Sequence, residues 1–168
     1  MAIESYQFRS ASYWLGFVFA GQAFTVSHRA IIPAHRTLYL QITTSNDRIT
    51  HITNQNIISG REQLGIKMIK NPSFFPGRKR VQPVNLDDRS QIKADTSFLL
   101  GAKEVYGGKI MEETFIPMYG NGQVGAPVES ALFERILHYS SNYLLAITNE
   151  GDYPTHVSVN LAFYESEN

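Results

Sequence analysis

The chain has 168 residues, 43% of them hydrophobic and 18% charged, which is the size of one domain and excludes a disordered chain. Fifteen Lys and Arg balance fifteen Asp and Glu, so the net charge is zero and affinity for nucleic acid through the overall field is not expected. The absence of cysteine excludes disulfides, thiolate metal sites and cysteine nucleophiles together.

Strand periodicity begins early. Residues 4–9 and 13–19 are predicted strands, the second with Tyr13, Leu15, Phe17 and Phe19 at alternate positions. The apolar run at 11–20 superficially mimics a signal peptide, but Glu4 accompanies Arg9 upstream, and a buried strand is expected instead. No stretch reaches the roughly eighteen apolar residues that span a bilayer. Further strands are predicted at 24–29, 36–44, 50–58, 65–70, 97–100 and 109–117. Residues 132–139 also alternate as a strand, although Pro127 could open a helix there. The last two strands fall at 143–148 and 157–164.

Period two places Leu38, Leu40, Ile42, Tyr143, Leu145, Ile147, Val159, Leu161 and Phe163 on one core. Many short strands separated by turn residues predict an all-β protein, an antiparallel β-sandwich of jelly-roll type in a single domain over 1–168. Two stretches break the pattern and read as long loops, 71–95 and 119–129. Loops of that length usually make contacts, and function is sought there first.

Catalytic chemistry is hard to find. Asp87-Asp88 and Glu112-Glu113 are sequence neighbours, and adjacent residues on a strand point to opposite faces, so neither pair acts as a unit. His28, His35, His51, His138 and His156 show no metal-ligand spacing. There is no nucleophile elbow, no P-loop and no dinucleotide fingerprint. The expectation is no enzymatic activity, no cofactor and no metal.

One cluster stands out. Phe74 and Phe75 lie close to Arg78, Lys79 and Arg80 in the first long loop. Aromatics beside cations suit a protein contact, because both are enriched at interface hot spots. A solvated loop and a single-strand nucleic-acid contact are the other readings of the same residues.

RTLYLQITT at 36–44, NLDDRS at 85–90, ERILHYSSNYLLAITNEG at 134–151 and VSVNLAFYE at 157–165 follow one another in a set order. That ordered set resembles small structural proteins of tailed-phage virions, while residues 54–83 do not align with the pattern. The resemblance implies a β-sandwich capsid decoration (cement) protein, made in the host cytoplasm and placed on the virion. It further implies the major capsid protein as partner and a homo-oligomer, dimer or trimer, with no membrane attachment. A phage tail or receptor-binding module that binds glycans would use the same fold. A cupin-like enzyme is a third reading, disfavoured by the missing ligand spacing.

Overall fold

The computed structural model of the protein describes residues 15–124 and 134–167. The predicted strand at 4–9 lies outside them. In chain order the strands are β1 (Ala23–Ile32), β2 (Thr37–Thr43), β3 (Arg48–Ser59), β4 (Leu64–Lys70), β5 (Ser73–Phe75), β6 (Lys79–Val81) and β7 (Val84–Asn85). There follow β8 (Ser97–Leu100), β9 (Lys103–Tyr106), β10 (Lys109–Ile116), β11 (Asn121–Val124), β12 (Arg135–Leu137), β13 (Asn142–Asn149) and β14 (Thr155–Glu167).

These strands form two sheets and a small ribbon. The first sheet runs β11-β3-β14-β1-β7, with β12 also on β3; the second runs β10-β4-β13-β2-β8-β6. The first long strand therefore pairs with the last, and the second with the last but one. The third and fourth then add to the outer sides of those two partners. That nesting is the jelly roll, two Greek keys wrapped into facing sheets.

Alternation in the sequence dictates the register. Tyr143 lies opposite Ile42, Leu145 opposite Leu40 and Ile147 opposite Leu38, so each cross-strand pair turns the same way, toward the core. On the facing sheet Leu161 meets Val26 and Phe163 meets Phe24. Phe98 of β8 reaches across to Phe163, ring centroids 5.3 Å apart, and closes the space between the sheets. Eight of the nine expected core residues are buried, and Leu38 packs partly buried against them. Each fully buried side chain of this kind stabilises the fold by about 1.5–3 kcal/mol.

Two expectations need correction. Residues 15–19 are a helical turn, not a strand. Gly21, at φ +70°, ends the turn: its N–H donates to Val18 O at 3.0 Å while Gln22 N–H donates to Phe17 O at 2.9 Å. This pair of bonds is a glycine-dependent helix cap, and it outweighs the aromatic alternation. Phe17 then stacks on Tyr164, with centroids 4.1 Å apart, instead of entering a sheet.

The second correction concerns the long loops. Residues 71–85 contain β5, β6 and β7, whereas 86–95 are a loop as expected, pinned at its end. Buried Glu165 accepts from the N–H groups of Asp95 at 3.0 Å and Thr96 at 2.6 Å, and Thr50 and Thr96 join hydroxyls at 2.7 Å. Of the second stretch, residues 121–124 form β11 on β3, and 125–129 lie outside the described residues.

Candidate functional site

The strands β5 and β9 form a two-stranded ribbon of their own. Its base is tied to the second sheet at Asn71 and Asn142. Asn71 N–H donates to Asn142 O at 2.7 Å, and Asn142 N–H donates to Asn71 Oδ1 at 3.0 Å. The other end is held at Gly77, where a Cβ would sit 2.2 Å from Leu100 O. Only glycine lets the chain pass that close to the end of β8.

Within the ribbon Ser73 pairs with Tyr106 and Phe75 with Lys103, so β9 carries one residue more than β5 between the two pairs. Glu104 takes up the extra length at φ +51°. A bulge whose first residue is left-handed ordinarily has glycine there, and bulges cluster beside functional sites. A glutamate in its place is backbone strain that the surroundings must hold.

Between ribbon and sheet lies a cavity of about 510 Å³. Its sheet side contributes Gln41 and Asn142, and the ribbon contributes Phe74, Phe75, Glu104 and Tyr106. Gln41 Nε2 donates to Thr43 Oγ1 at 3.1 Å, and that hydroxyl donates to Asn142 Oδ1 at 2.8 Å. Gln41 is only 6% exposed, yet its Oε1 has no hydrogen-bond partner. Buried polar atoms are normally paired, so this one marks the cavity as unusual.

The five residues singled out from the sequence separate. Phe74 and Phe75 occupy neighbouring positions of β5, where strand geometry sends them apart: Phe74 is half-buried and Phe75 is 62% exposed. They are not a pair of exposed rings in a loop. Arg78 precedes the edge strand β6 and Lys79 and Arg80 lie within it, all three exposed and without an ion pair among the described residues. Asp87 does not oppose them. Its carboxylate accepts from Arg89 Nε at 2.9 Å and Nη2 at 3.1 Å, and that hydrogen bonding holds its carboxyl below the usual range.

The paired glutamates divide as a strand requires. Glu112 turns inward to Arg135 at 2.7 Å, and Glu113 outward to Lys67 at 2.9 Å. Among the described residues no group of three or more His, Asp or Glu comes together in a way that could hold a metal ion. None of the helices described is long and apolar enough to cross a membrane. No family model matches the chain, and no curated protein does either.

One constellation could not be read from sequence spacing. His51 Nδ1 donates to Glu134 Oε1 at 2.6 Å, and its Nε2 hydrogen-bonds Ser166 Oγ at 2.9 Å. Tyr164 donates its hydroxyl to the same Glu134 oxygen and stacks on the His51 ring with centroids 4.4 Å apart. Ser, His and Glu occur here in the order of a hydrolytic relay. However, Ser166 lies in regular antiparallel pairing opposite Ile49, not on a sharp turn that would present its hydroxyl to a substrate. The group acts as a clamp that fixes β12 and the end of β14 to β3.

Proposed function

We propose that the protein is a non-catalytic structural component of a tailed-phage particle, a decoration protein that binds the outside of the head as a dimer or trimer. The observation that carries this reading is the exposed stretch from Phe75 to Arg80, in which Lys79 and Arg80, neighbours on β6, present charge on both sides of the sheet edge. An exposed ring and three cations without acidic partners occupy one short stretch of chain. Arginine and aromatic side chains are enriched among the residues that carry binding energy in protein interfaces. The fitting partner surface has an apolar pocket with an acidic rim, here assigned to the major capsid protein. The ordered motifs of the sequence and the jelly-roll frame support the same reading. Many copies on one shell also act together, so no single contact has to be tight.

The test is addition of purified protein to undecorated particles, followed by sedimentation and imaging. Phe75→Ser combined with Arg78→Ser, Lys79→Ser and Arg80→Ser should leave the fold intact and abolish addition. Equal binding by this variant removes the surface from the interface. A monomer with no affinity for any shell ends the decoration reading.

A further inference from the structure

We infer that the cavity between the ribbon and the second sheet is a binding site for a neutral saccharide unit. The inference does not rest on the docking reading, and its test uses none of the cations.

Three independent features converge on the cavity. Gln41 lines it with a side chain more than nine-tenths buried and a carbonyl oxygen that has no partner. Glu104 lines it from a left-handed bulge position where glycine would relieve the backbone. Phe75 and Tyr106 flank it with rings 62% and 70% exposed. A polar floor, a carboxylate presented from a strained backbone position and two exposed aromatic rings meet at one groove, and a ligand with both polar and apolar faces uses each of them.

The lining selects the ligand class. No Lys or Arg lines the cavity, and Glu104 does, so a phosphate or carboxylate group would meet repulsion without a counter-charge. A purely apolar ligand would strip water from the Glu104 carboxylate and the Asn142 amide nitrogen without replacing it, which is unfavourable. A sugar ring answers both demands. Its C–H face packs on an aromatic ring, while its hydroxyls donate to the Glu104 carboxylate and exchange hydrogen bonds with the Asn142 amide. A volume of about 510 Å³ lies within the usual range of small-molecule sites and leaves room for a sugar residue with part of its neighbour.

The experiment is saturation-transfer NMR on the full chain with methyl glycosides of glucose, galactose, mannose, N-acetylglucosamine and rhamnose. Choline chloride and sodium phosphate serve as comparison probes. At least one glycoside should give transfer to its ring protons, with Tyr106→Ala weakening it about tenfold. Glu104→Gly is the sharper variant. It suits the left-handed backbone, so its melting temperature should equal or exceed that of the parent while glycoside binding falls. Glu104→Gln should restore part of the affinity, because the amide still offers an acceptor. Silence from every glycoside overturns the inference. So does undiminished binding in both Tyr106→Ala and Glu104→Gly, which would place the sugar elsewhere. Transfer to choline alone would make the cavity an aromatic cage for a cation and would equally overturn it.

Discussion

The two outer faces of the sandwich are built differently. On the first sheet Ser27, Asn160 and Asn56 lie side by side across β1, β14 and β3, a row of small polar groups. On the second, Leu144 and Ala146 also point away from the core, yet they are 0% and 5% exposed. Leu144 sits between Gln41 and Ile69 of the neighbouring strands, and Ala146 between Tyr39 and Lys67, and the ribbon adds to this face at one end. It stands over the Gln41 and Asn142 end of that face, and the cavity lies beneath it. Among the described residues the polar row carries no groove of this kind, whereas the second face has one at its ribbon end.

The inner faces are common to both, and the largest effect is expected there. Leu145 and Leu161 are fully buried between the sheets, so changing either to Ala should cost about 2–5 kcal/mol in urea unfolding. Leu144→Ala tests the cover itself. At an exposed position it would be nearly neutral, but Leu144 is 0% exposed, so its loss should cost about 2–5 kcal/mol.

Gly77→Ala attacks the ribbon's anchor. A methyl group 2.2 Å from Leu100 O must push backbone aside, at a cost of about 1–3 kcal/mol. Hydrogen exchange should show the loss of protection concentrated in β5 and β9, with the long strands unchanged. Asn160→Ala on the opposite face is the matching control. Among the described residues its side chain hydrogen-bonds only Ser158 Oγ, at 3.5 Å, so stability should change by no more than about 0.5 kcal/mol.

Much of this contrast was legible in the residues. Alternation in β2, β13 and β14 identifies the core, because a slip of one position would expose the whole set. The covered face also left a trace: β13 is apolar at Leu144 and Ala146 as well as at Tyr143, Leu145 and Ile147, whereas β14 offers Ser158 and Asn160 on its second side. A strand apolar on both sides requires cover on both. The ribbon itself was not legible, since Ser73–Phe75 is short, flanked by prolines and paired with a segment beyond β8. Glu104 and Gln41 carry no sequence signal. One matters for its backbone angle and the other for an absent partner, and neither is a property of residue type. The helical turn at 15–19 had a readable mark in Gly21, which the aromatic alternation obscured.

The smallest expected effect lies where the edges of the two sheets approach, at His28 of β1. Burial, and secondarily the charge of Lys79 from β6, lower its pKa from the ordinary 6.5. A histidine depressed in the folded state takes up its proton more readily when unfolded. Above about pH 6.5 both states are neutral at this position and it contributes no pH dependence. As the pH falls below that value, the unfolded chain binds the proton first, so stability declines until the folded state is protonated as well. His28→Gln should flatten that part of the stability–pH curve in denaturant titrations run from pH 7 to pH 5. Lys79→Gln should flatten it only in part, because burial is the larger cause and remains. A Lys79→Gln curve as flat as that of His28→Gln would reverse the ranking. The cationic edge, not the sandwich wall, would then be what keeps this histidine neutral.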